Sequence, residues 1–154
     1  MTSSMREIFS ALGQTGIISV ERTLGCSEDE ILAVERHFNC MLPLAYREFL
    51  VIAGRSAGKL FCGADIFYPR IFQLQSEAKE LLVELGALDL LPTNAKVFCM
   101  HQGYEINYFL PVSDDPPVFQ YFEGQSEVSQ PWKSFSEFLR LSIEGHLAQW
   151  PDLN

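Results

Sequence analysis

A chain of 154 residues fits one domain, and its 47% hydrophobic content with twelve phenylalanines argues for a packed globule rather than a disordered chain. Twenty acidic against eleven basic residues leave a net charge of −9 and a pI near 4.7, a balance that repels phosphate backbones and anionic membranes and so disfavours direct contact with either. No apolar run approaches the roughly 20 residues of a membrane span, and the start MTSSMREIF lacks a signal-peptide core, so a cytoplasmic location is expected.

In chain order, residues 4–12 read as a lead helix. Ser4 and Glu7 form a capping box, and Met5, Ile8, Phe9 and Leu12 make a stripe that ends at Gly13. Residues 14–26 are irregular apart from an extended run at Ile17–Val20. Residues 1–23 are therefore expected as a helix and arm, and 24–154 as the domain. The stretch 27–54, SEDEILAVERHFNCMLPLAYREFLVIAG, is the most informative. Ser27 with Glu30 is a second capping box, Glu28 and Asp29 suit the positive end of the helix dipole, and Ile31, Leu32, Val34 and Phe38 recur at helical spacing. Asn39 tolerates a left-handed helix end, and Pro43 opens a second helix striped by Tyr46, Phe49, Leu50 and Ala53 and stopped at Gly54.

Beyond Gly54, Lys59–Cys62 and Ile66–Tyr68 read as short strands about a turn at Gly63. A third helix is expected from a cap at Ser76, with Ala78, Leu81, Leu82, Leu85 and Leu88 inward and Glu77, Glu80 and Glu84 on the opposite face. Gly86 ends or kinks it. From Pro92 the period changes: Lys96–His101, Glu105–Leu110 and Pro117–Glu123 form an antiparallel meander, with a hairpin turn at Gln102–Gly103 and a Pro-bounded loop at Asp114–Pro117. Residues 124–131 read as a polar connector. Ser134 with Glu137 then caps a last helix with Phe135, Phe138, Leu139, Ile143 and Leu147 inward. The order predicts an α+β fold, a mainly antiparallel sheet packed against helices.

Little here resembles chemistry. The four cysteines are scattered without a CxxC pair, as expected of reduced thiols. Cys99 and His101 share a strand face, but no orienting group or oxyanion element accompanies them. Gly54–Lys59 suggests a phosphate loop, yet Leu60 replaces the Ser/Thr and the loop follows a helix instead of opening one. No cofactor, metal or catalytic group is expected. A protein-contact patch is: Tyr104, Tyr108 and Tyr121 with Glu105, Asp114, Asp115, Glu123 and Glu127 combine aromatic anchors with a charged rim that would steer a basic partner.

Ile31, Glu35, Leu42-Pro43, Tyr46-Arg47, Phe49-Leu50 and Gly54, closed by Trp132, Phe135 and Phe138-Leu139, resemble the SUKH superfamily, whose signature runs I…E…LP…Y+.FL…G. The similarity spans roughly residues 24–144, with Ala53 standing where members often carry Asn. It implies a single SUKH-like α+β domain with a non-enzymatic, protein-binding role. That role is expected to be an immunity protein neutralising a cognate, basic, nuclease-type toxin; the alternative is a regulatory adaptor binding a cellular protein, as in fungal cell-wall regulators.

Overall fold

The computed structural model describes residues 7–8, 23–58 and 60–149, with side chains up to residue 145. Most of the expected lead helix, its Ser4–Glu7 cap, the Ile17–Val20 run and Leu147's side chain lie outside these residues. Glu7 and Ile8 are helical, and Ile8 joins the core.

Helix α1 (Glu28–Phe38) opens on the expected reciprocal cap: Glu30 N–H donates to Ser27 Oγ at 3.2 Å and Ser27 N–H to Glu30 Oε1 at 2.8 Å. It ends at Asn39 in the left-handed region, φ 52°. Pro43 then caps α2 (Leu44–Ala53), whose Tyr46, Phe49, Leu50 and Ala53 are fully enclosed. Gly54 ends α2 by close approach, not by a left-handed turn: a Cβ there would stand 2.5 Å from Cys26 Sγ and 2.6 Å from the Leu50 carbonyl oxygen.

Two short strands, β1 (Thr23–Leu24) and β2 (Ser56–Ala57), pair beside α2. The main sheet is a five-stranded antiparallel meander in sequential order: β3 (Ala64–Asp65), β4 (Lys96–His101), β5 (Glu105–Phe109), β6 (Val118–Phe122) and β7 (Ser129–Trp132). Helix α3 (Ile71–Glu84) covers one face. α1, α2 and α4 (Phe135–Gln149) send rings to the other. This is the expected α+β architecture.

Five local expectations are corrected. Leu32, expected on the apolar stripe of α1, is exposed, because it lies off the arc that Ile31, Val34 and Phe38 share. Residues 60–62 of the expected run Lys59–Cys62, and Ile66–Tyr68, are not strands; Lys59 lies outside the described residues. Phe61, at φ 62°, stacks on Phe138 in a turn, and Phe67 stacks on Phe49, so their rings fill gaps instead of joining a ladder. The third helix starts at Ile71, because Ile71, Leu74, Ala78 and Leu82 form one stripe and Ser76 Oγ turns back to the Gln73 carbonyl inside it. Gly86, at φ 67°, ends it: Gly86 N–H bonds the Val83 carbonyl and Ala87 N–H the Leu82 carbonyl, a Schellman closure. The chain reverses there, so Leu85 and Leu88, expected inward, are exposed. Lastly, the polar connector contains β7, an exposed edge strand. Pro131 is tolerated there because an edge has a side with no ladder bond to lose.

Register assigns the faces, since residues directly paired across an antiparallel ladder share one. Val97, Met100, Ile106, Tyr108, Phe119 and Tyr121 lie on the α3 face. Phe109, Asn107, Val118 and Gln120 lie on the other. A bulge between Val97 and Cys99 shifts β4. At the centre of the second face sits Tyr46, ringed by Phe109 at 5.3 Å, Phe135 at 5.5 Å, and Phe38 and Phe98 at 6.1 Å. α3 is tied down by Gln75, which donates to the Ala95 carbonyl and accepts from Val97 N–H.

Candidate protein-interaction surface

The residues of the 27–54 signature are scaffold. Glu35 and Arg47 pair at 2.8 Å, joining α1 to α2, and Arg47 also reaches Glu28 at 3.5 Å. Glu30 takes Arg55 Nε at 3.1 Å and its second guanidinium nitrogen, and Arg55 lies 5.0 Å from the centre of the Tyr68 ring. These contacts bind the helix pair to the segments that follow it and leave no open site among themselves.

The acidic and aromatic residues read as one patch are divided three ways. Tyr104, Glu105, Glu123 and Glu127 gather at one end of the sheet. Glu105 pairs with Phe122, Glu123 N–H bonds the Tyr104 carbonyl, and the exposed Tyr104 ring stacks on Phe122. Asp114 and Asp115 lie at the opposite end, in the loop from β5 to β6. Their position has a structural reason: the Asp114 carbonyl accepts Ala45 N–H at the start of α2, and Asp115 Oδ1 accepts Ser136 N–H at 2.9 Å at the start of α4. Ser134 Oγ accepts Glu137 N–H, so two side chains share the amides of α4. Tyr108 and Tyr121, only 3% and 2% exposed, are buried on the α3 face and do not reach the surface patch drawn from sequence. Alternation in the strands put them on the face that α3 covers, and only the tertiary packing shows that face to be inside.

Those two tyrosines, with Ile106, floor a shallow apolar depression walled by Leu82, Leu90 and Leu91; Val128, next to Glu127, closes its side. Val83, Leu85 and Leu88 stand exposed around the end of α3 beside it. Sequence reading missed this shoulder by continuing the helical stripe through Gly86, the one residue that signalled the stop.

Charge is unevenly distributed. From Glu80 to Trp132 the chain carries eight carboxylates and one cation, Lys96, which accounts for seven of the nine net negative charges. The arginines Arg47, Arg55 and Arg70 pair with Glu28, Glu35, Glu30, Asp65 and Glu77, and among the described residues no ion pair engages any of those eight.

Cys99 and His101 do share a face, opposite Asn107 and Glu105. Burial, reinforced by the Glu105 charge, pushes the Cys99 thiol well up, against a weaker opposing hydrogen bond from Asn107. A thiol held protonated is a poor nucleophile at neutral pH. Among the described residues, no group of three or more His, Cys, Asp or Glu is placed to hold a metal ion. Among them, too, no helix is long and apolar enough to cross a membrane.

The model of the SMI1 / KNR4 family (SUKH-1) matches residues 25–141, from the turn before α1 into α4. The chain belongs to the SMI1/KNR4 family. No curated protein matches it significantly. At family level this SUKH-1 domain is a protein-binding module of immunity or regulatory type. In this SMI1/KNR4 domain, Ile31, Tyr46, Phe49 and Leu50 are core and Glu35 and Arg47 clamp the helix pair, so the family signature builds the fold.

Proposed function

We propose that this domain is an immunity protein that binds and neutralises a cognate toxin whose working surface is basic, as in a nuclease. One observation carries the reading: the eight carboxylates between Glu80 and Glu127 enter no ion pair among the described residues, while Glu28, Glu30 and Glu35 of α1, together with Asp65 and Glu77, are matched with arginines. Charge left unmatched within the fold steers an oppositely charged partner and raises its association rate. A toxin that acts on nucleic acid needs positive potential where its substrate binds. An acidic domain docked there competes with the substrate directly.

Tyr104 suits the contact centre at the turn end. Its ring is exposed, backed by Phe122, and bordered by Glu105 and Glu123. Aromatic anchors inside charged rims carry a large share of binding energy in protein interfaces.

Co-expression with the toxin domain encoded beside its gene tests the reading. The expected result is a stable complex on size-exclusion chromatography, together with restored growth of the host. Absence of both a complex and protection overturns it, and a complex that leaves the toxin active assigns the domain a regulatory role instead.

A further inference from the structure

We propose that the shoulder formed by the end of α3 and the turn after it is a docking surface for a basic protein segment presenting one or two aliphatic side chains. This rests on the protein-binding reading and adds to it a second contact region, defined by its own chemistry.

The Schellman closure at Gly86 turns the chain back at the end of α3, and Val83, Leu85 and Leu88 are left exposed within six residues on either side of it. Val83 is 60% exposed and Leu88 45%. The apolar depression floored by Ile106, Tyr108 and Tyr121 opens next to them. The depression is too shallow to enclose a side chain, so an aliphatic group is met by the exposed Val83 and Leu88 at its rim, with the core residues of the depression as backing. Grouped exposed apolar side chains with a polar border mark interaction sites more often than scattered ones do.

Charge selects the occupant. Glu80, Glu84 and Asp89 border the shoulder along the chain, Glu127 adjoins Val128 at its side, and no Lys or Arg occurs between residues 80 and 95. Lys79, one turn before Val83, is the nearest cation on the helix. A second exposed apolar group, Met41, Leu44 and Val112, lies close along the chain to the bond between the Asp114 carbonyl and Ala45 N–H. That cluster has mixed charge nearby, with Asp114 beside it and Lys96 close enough to act on Cys40. The shoulder is the cluster whose border has one predominant sign. It therefore favours lysine and arginine flanking the aliphatic anchor, and it lies towards the same end of the sheet as Tyr104 and Glu123. A single partner can cover both.

The test uses the full chain, labelled with ¹⁵N, and three synthetic peptides: an amphipathic lysine–leucine peptide, its lysine–serine analogue and its glutamate–leucine analogue. The lysine–leucine peptide is expected to shift the amides of residues 82–91 and 127–128 saturably, and more weakly as salt rises. Val83→Ser with Leu88→Ser, both at exposed positions, is expected to weaken that binding about tenfold without changing the melting temperature. Shifts centred on Met41, Leu44 and Val112, shifts spread over every acidic residue, or no shifts overturn the proposal. Equal binding of the lysine–serine peptide removes the apolar anchor, and equal binding of the glutamate–leucine peptide removes the charge preference; either overturns it. The toxin complex is scored separately. A complex unaffected by the Val83/Leu88 pair, with a silent shoulder, sinks this inference alone, whereas a responsive shoulder without any toxin complex sinks only the immunity reading.

Discussion

Tyr46 is fully buried among five aromatic rings, yet its hydroxyl has no hydrogen-bond partner. Burial accordingly raises its pKa far above the ordinary value. The ring is a core element and the oxygen is a cost, because an unpaired buried hydroxyl forfeits its hydration. Tyr46→Phe should therefore leave stability unchanged or raise it by about 1–2 kcal/mol. Tyr46→Ala should cost about 3–5 kcal/mol through the cavity it opens. Urea denaturation of the two variants separates ring from hydroxyl. Glu30 is the opposite kind of residue, half-buried and fully engaged. The hydrogen bond from Arg55, then that from the Ser27 backbone, holds its carboxyl down at about 2 against an ordinary 4.5. A depressed native pKa contributes stability that is complete above 4.5 and lost as pH falls through 2. Glu30→Gln should therefore lose less stability than the parent across that acid window, as measured by denaturation at a series of pH values. At this scale the Ser27–Glu30 cap and the Asn39 end were legible, because their geometry is set by four adjacent residues. The role of Asp115 was not, because its partner, Ser136 N–H, lies 21 residues away.

Elements behaved in the same way. α1, α2 and β4 to β6 sit close to where hydrophobic period and turn residues put them, and the turn at Gln102–Gly103 has the two positive φ values, 51° and 76°, that such hairpins need. Misreadings clustered where an element is short or is closed by a non-repeating contact. β2, β3 and β7 are two to four residues long and owe their pairing to neighbours, not to their own pattern. The end of α3 depends on Gly86. A Cβ there meets nothing within 4 Å, so the only objection to alanine is the backbone conformation. Gly86→Ala should cost about 1–2 kcal/mol and should move the amide shifts of residues 84–91 more than those of the sheet. At the start of α4, Asp115→Ala removes one of two capping side chains and should cost about 1 kcal/mol. A thermal melt of each variant checks both values.

At the scale of the molecule, the decisive property is where charge is left unmatched. Replacing Glu105, Glu123 and Glu127 with Gln removes three charges from the turn end. The variant should associate with a basic toxin more slowly, most clearly at low salt, while dissociation changes less. Stopped-flow association at several ionic strengths checks this, and an unchanged rate places the contact away from the turn end. Asp114 and Asp115 belong to a different part of the surface, so changes there report on the loop between helix starts and on α4 before they report on binding.

By itself, the sequence determined the α+β class, the helix pair of residues 27–54, the sheet's central strands, the family and the net acidity. Each of these follows from periodicity, capping chemistry or composition, which are carried by residues near one another in the chain or need no position at all. Tertiary structure alone decided that Tyr108 and Tyr121 are interior and that Val83, Leu85 and Leu88 are left exposed at the end of α3. The physical reason is common to both: periodicity says which residues share a face, but only packing between distant elements says which face water reaches.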